Sequence, residues 1–158
     1  MSTSAPGGRR LAELDTSRLT HLVGYASSRA ALELRKTFTR HMAPFDLKIS
    51  EFSILMLVAA NAGVNQRRLG QELDISAPNM AVTLDRMVER GWVERVRSTE
   101  DRRAQQIHLT ASGRGLVQRV EKVAATMEDA ALRRLSAAER ALLVELLLKI
   151  IGHGSARR

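Results

Sequence analysis

The sequence predicts a mainly α-helical fold with one small antiparallel wing of two or three strands: a winged helix-turn-helix with N- and C-terminal dimerisation helices. Three observations predict it. Apolar residues recur at helical spacing up to residue 43 and again after residue 110. Between residues 92 and 109 the period changes to that of two short strands. The last helical stretch is apolar almost all round, more than a lone chain can cover.

Taken in order, residues 1–14 are rich in Ser, Pro, Gly and Arg and read as a flexible arm. From Asp15 or Ser17 one long helix carries Leu19, Leu22, Val23, Ala26, Ala30, Leu34, Phe38 and Met42 until Pro44 stops it. Ser50 is placed to cap a second helix, with Phe52, Leu55, Met56 and Ala59 as its stripe, ending near Gly63. Asn65 opens a short helix with Leu69 and Leu73, and Asp74-Ile75 make a tight turn. Ser76 caps the next helix, which runs to Arg90 and is closed by Gly91; Pro78 is tolerated in its first turn. Residues 92–97 and 105–109 form the hairpin, joined by the Arg-rich loop 98–104. Thr110 caps a further helix with Leu116, Val120, Val123, Met127 and Ala131. Ser136 and Glu139 form a capping box for the last, Ala137–Ile151. The divisions expected are thus an arm (1–14), an N-terminal dimerisation helix (15–48), a winged helix-turn-helix (49–109), C-terminal dimerisation helices (110–151) and a tail (152–158).

Composition narrows the function. The 158 residues are 44% hydrophobic and 27% charged, which excludes wholesale disorder. There is no cysteine, so disulfides, thiolate metal sites and cysteine redox sensing are all excluded. No apolar run approaches the ~20 residues of a membrane span, and the N-terminus has no signal-like apolar region, so a cytoplasmic location is expected. The last helix has too few Lys and Arg for a membrane-surface anchor. The net charge of +8 suits a polyanionic partner, although it is spread along the chain rather than gathered at one segment. With 3% aromatic residues, RNA binding by a stacking sheet is disfavoured.

Catalytic signals are missing. His21, His41, His108 and His153 lack ligand spacing, so no metal is expected. Gly113-x-Gly115 lacks the third glycine of a dinucleotide fingerprint, Gln118 standing in its place, and no nucleophile elbow or P-loop appears. Neither a cofactor nor an enzymatic activity is expected.

The remaining constellation fits double-stranded DNA. On the helix from Ser76 to Arg90, Met80, Leu84 and Met87 share one face and should be buried. The other side offers Ser76, Ala77, Pro78, Asn79, Val82, Thr83 and Arg86 to a major groove. Asn79 suits adenine, Arg86 guanine or a phosphate, and Val82 a thymine methyl. In the hairpin loop, Arg97, Ser98, Arg102 and Arg103 suit a minor groove, and Asp101 is near enough to Arg103 to orient it.

The stretches Arg90-Gly91-Trp92-Val93-Glu94-Arg95, Asp101-Arg102-Arg103 and Ile107-His108-Leu109-Thr110-Ala111-Ser112-Gly113 resemble the MarR family of bacterial winged-helix regulators. The element order resembles that family from about Ser17 to Ile151. The resemblance implies an obligate homodimer with interlocked terminal helices, Arg103 in the minor groove steadied by Asp101, and the Ser76 helix in the major groove. One departure is Ala77 and Val82, where relatives often carry polar or basic residues. Specificity is therefore expected to lean on Asn79, Arg86 and DNA shape. The resemblance also implies a small-molecule effector, and an aromatic carboxylate or acyl-CoA thioester would suit an arginine with aromatic neighbours. His21, Tyr25 and Arg29, spaced i, i+4, i+8, with Phe45, Phe52 and Met56 as apolar walls, are the candidate pocket.

The expectation is a homodimeric repressor on an inverted-repeat operator, released by a ligand. The competing class is an architectural or protein-interaction module that binds DNA without sequence preference.

Overall fold

The computed structural model describes residues 14–97 and 105–152. The chain divides into two units, Met1–Leu32 and Glu33–Arg158. In the first, helix α1 (Ser17–Thr20) opens where Asp15 Oδ1 accepts the Ser17 N–H at 2.9 Å. The long N-terminal helix expected from the sequence is interrupted here. The Leu22 N–H turns back to the Leu19 carbonyl, three residues away, and α2 (Val23–Met42) starts afresh. Within the first turns of α2 the Ser27 and Ser28 hydroxyls donate to the Val23 and Gly24 carbonyls.

The second unit is built around α3 (Ile49–Ala60), α4 (Gln66–Glu72), α5 (Ala77–Glu89), the strands β1 (Val93–Arg97) and β2 (Gln105–Leu109), and α6 (Ala111–Met127). A 3-10 turn over Ala43–Phe45, carrying Pro44, ends α2. Lys48, not Ser50, is the N-cap of α3: the Glu51 carboxylate reaches back to the Lys48 N–H at 2.9 Å, so the acid closes the helix end that a serine hydroxyl was expected to close.

The core joins Met42, Ile54, Leu55, Leu69, Met80, Leu84, Met87, Val93, Ile107 and Val120, each at most 1% exposed. The β1–β2 pair is antiparallel with Val93 opposite Leu109 and Arg97 opposite Gln105. A single bridge from Asn65 to Gln106 adds a one-residue third strand, and the Ile107 N–H donates to the Val64 carbonyl at 2.8 Å.

Helix α7 (Ala137–Ile150) starts at the capping box expected from the sequence, where Ser136 Oγ and the Glu139 carboxylate exchange bonds. None of its residues is buried. Leu142 is 52% exposed and Ile150 67%, and Leu143, Leu146, Leu147 and Leu148 are all open to solvent. Among the described residues, this face has no cover.

Candidate nucleic-acid interface

Helices α4 and α5 are joined by a turn in which Asp74 takes a left-handed conformation (φ 50°) and the Ile75 N–H donates to the Gly70 carbonyl at 2.9 Å. Aspartate tolerates that conformation better than most side chains. Asn65 caps α4 by accepting the Arg68 N–H at 2.9 Å. Ser76 occupies the N-cap of α5, but its side chain makes no cap bond. Beside the turn lies a concavity of about 760 Å³, whose lining includes Gln66, Arg67, Gln71 and Ser76. Arg67 and Gln71 were not singled out from the sequence. Both lie on α4, the first helix of the motif.

The inner face of α5 is as the spacing requires: Met80, Leu84 and Met87 are wholly buried. Ser76, Ala77, Pro78, Asn79 and Val82 are exposed, Val82 at 69%. Thr83 is half-buried, its hydroxyl donating to the Asn79 carbonyl at 2.8 Å. Arg86, grouped with these residues by sequence, is turned toward α3. Its Nε lies 3.2 Å from Glu51 Oε1 and its Nη2 3.6 Å from Asp46 Oδ2. One residue earlier, Asp85 pairs with Arg95 of β1 at 2.6 Å.

Arg90 closes the helix. It binds Asp46 Oδ2 at 2.9 Å, donates to the Asp46 and Phe45 carbonyls, and lies 3.8 Å over the Trp92 ring. Glu51 and Asp46 were not picked out from sequence. The available signal was Glu51, the one charge within an otherwise apolar helix, since a buried carboxylate needs a partner.

Gly91 holds φ +66° and turns the chain from α5 into the wing. The wing's base is clamped to α6. The Thr110 N–H donates to the Trp92 carbonyl at 3.1 Å, Thr110 Oγ1 donates to the Gly91 carbonyl at 2.6 Å, and the Gly113 N–H donates to Thr110 Oγ1 at 3.0 Å. Arg97 is exposed at the end of β1. Ser98, Asp101, Arg102 and Arg103 lie outside the described residues.

Of the ligand candidates, Tyr25 is half-buried and Arg29 exposed on α2. His21 precedes that helix, its Nδ1 3.4 Å from the Ser17 carbonyl oxygen, so the helical face expected for three residues holds two. Phe45, Phe52 and Met56 pack against the core of the second unit. Phe52 meets Phe38 edge-on at 5.4 Å, and the Arg119 guanidinium sits 5.8 Å over Phe45. A cleft of about 550 Å³ is lined by other residues, Arg35, Thr39, Lys48 and Ser50 among them. Among the described residues no cluster suits a metal ion, and no helix is long and apolar enough to cross a membrane.

Residues 45–104 match the model of the MarR family. The chain is 30% identical over 105 residues to the HTH-type transcriptional regulator YpoP of Bacillus subtilis, covering 66% of this chain and 74% of that one. Among solved structures it is similar to the transcriptional repressor CouR bound to a 23-mer DNA duplex, with a TM-score of 0.83 and 37% identity over 88% of this chain and 99% of that one. CouR bound to p-coumaroyl-CoA gives a TM-score of 0.78 and 35% identity over 88% and 98%.

Proposed function

Because the chain belongs to the MarR family of winged-helix transcriptional regulators, we propose that it is a homodimeric, sequence-specific repressor released from an inverted-repeat operator by a small ligand. The observation that carries this reading is α5. Its Met80, Leu84 and Met87 are fully buried while Asn79 and Val82 stand free, behind the turn from α4 and beside the hairpin. A helix so held can enter a major groove by its first two turns. Asn79 then pairs with adenine, Val82 meets a thymine methyl, and Ser76, Ala77, Pro78 and Thr83 line the approach. Arg97, Ser98, Arg102 and Arg103 form the minor-groove flap, with Asp101 steadying Arg103.

The bare α7 supports the dimer. Covering its seven half-exposed large apolar residues gains on the order of 10 kcal/mol per protomer before the entropy of association is subtracted. In this reading residues 15–48 and 110–151 make the dimer base and 49–109 reads DNA. The likeness to CouR in complex with p-coumaroyl-CoA supports an aromatic carboxylate or its acyl-CoA thioester as effector. Such a ligand lowers DNA affinity by as much as it prefers a spacing of the two α5 helices that misses consecutive grooves.

The test is selection of bound duplexes from a random-sequence pool by the full chain. An inverted repeat with half-sites ~10 bp apart is expected. Arg103→Ala should weaken the selected duplex about 10- to 100-fold with the dimer intact by light scattering. A pool without any enriched repeat defeats the sequence-specific reading and favours the architectural one; unchanged affinity in Arg103→Ala defeats the wing assignment.

A further inference from the structure

Glu51 sits in the first turn of α3 and is 1% exposed. One carboxylate oxygen accepts the Lys48 N–H. The other has no aligned hydrogen bond, and its partner is the Arg86 guanidinium 3.2 Å away. Asp46 adds a second carboxylate to Arg86 and also binds Arg90, one helical turn further along α5. The turn before α3 and the first turn of α3 therefore grip one flank of α5 at two successive levels. On the neighbouring flank, Asp85 is tied to Arg95 of β1.

We propose that Glu51 is a positioning residue for DNA recognition: through Arg86 it fixes the roll of α5 about its own axis, and Arg86 itself contacts no base. The proposal rests on the reading of α5 as the groove-entering helix. The inner face of α5 is two methionines and a leucine, and methionine adapts its shape to several packings, so apolar contact alone sets the roll loosely. A helix with its side chains is about 10–12 Å across, so a 20° roll carries a side-chain tip by about 2 Å. A base contact needs about 0.5 Å. Braces at residues 85 and 86, about 100° apart around the helix, limit roll in both directions. Of the two, the buried Glu51–Arg86 pair is the less screened by salt.

The experiment measures binding of the full chain to a duplex selected by the wild-type protein and to a random-sequence duplex of the same length. The variants are Glu51→Gln, Arg86→Ala, the double variant and Arg86→Lys. Glu51→Gln should lose about tenfold on the selected duplex while binding to the random one holds. Arg86→Ala should add nothing in the Glu51→Gln background, and should leave the salt dependence of binding unchanged. Arg86→Lys, which keeps both charges and guards against a misfolded variant, should retain more selectivity than Arg86→Ala.

Wild-type selectivity in Glu51→Gln overturns the proposal. So does an Arg86→Ala loss of equal size in both backgrounds, or a salt slope lower by about 1, since each makes Arg86 a direct DNA contact. Parallel loss on both duplexes reduces the pair to a fold element and also overturns it. Failure to enrich any sequence defeats the reading of α5, and this proposal with it.

Discussion

Replacing Gly113 by alanine should reverse the usual sign of a glycine-to-alanine change in a helix. At an unhindered helical site alanine stabilises by about 0.4–1 kcal/mol, because glycine gives up more chain entropy on folding. At Gly113 a Cβ would overlap the Trp92 carbonyl oxygen and stand 2.9 Å from its carbon and 3.3 Å from its Cα. Carbon pairs sit best at about 3.5–4.0 Å, so the start of α6 must draw back by about 1 Å. That movement opens the clamp formed by the Thr110 N–H, Thr110 Oγ1 and Gly113 N–H. Three hydrogen bonds at a net ~1 kcal/mol each, less the alanine gain, leave a loss of about 2–3 kcal/mol.

Gly115 is the control on the same helix: nothing stands within 4 Å of its added Cβ, so Gly115→Ala should stabilise. Urea unfolding followed by circular dichroism, at one fixed protomer concentration because the proposed dimer links stability to mass action, reads both. Opposite shifts of the midpoint are expected. Equal shifts, or a stabilised Gly113→Ala, would show that the wing and α6 are not in contact as described.

Two further outcomes follow from α7. Leu143→Glu with Leu147→Glu places charge on the uncovered apolar face and should bring the mass of the proposed dimer in light scattering from twice 17.5 kDa to one chain, whereas an unaltered dimer removes α7 from the interface. The Ser136 N–H, and then its hydroxyl, hold the Glu139 carboxyl below the ordinary glutamate value of 4.5. A depressed folded-state pKa contributes stability above the unfolded value and loses it as pH falls through the folded one. The melting difference between wild type and Glu139→Gln should therefore be present at pH 6 and shrink on titration below pH 4.5; a constant difference refutes the capping role.

How far the sequence reached depends on the range of the interaction concerned. The burial of Met80, Leu84 and Met87 follows from a spacing of three and four residues, and the Ser136–Glu139 box from a spacing of three; both are local and legible. The break between α1 and α2 is local too, but apolar residues continue through it at Leu19, Leu22 and Val23, so spacing does not mark it. Arg86 shows the other limit. On a helical wheel it stands near Asn79 and Val82, yet a long side chain at the edge of a face can lean to either side, and its direction is set by Glu51, 35 positions away in sequence and adjacent in space. A carboxylate inside an apolar helix announces that it requires a cation without saying which one. In the proposed reading, with Arg86 and Asp85 both engaged in pairs, the outward side of α5 offers only Asn79 and Val82 beside the small Ser76, Ala77 and Pro78, few groups for direct base readout. On that reading specificity comes in larger part from the hairpin and from sequence-dependent groove width, and narrow A·T-rich steps beside each proposed half-site should be enriched in the selected duplexes.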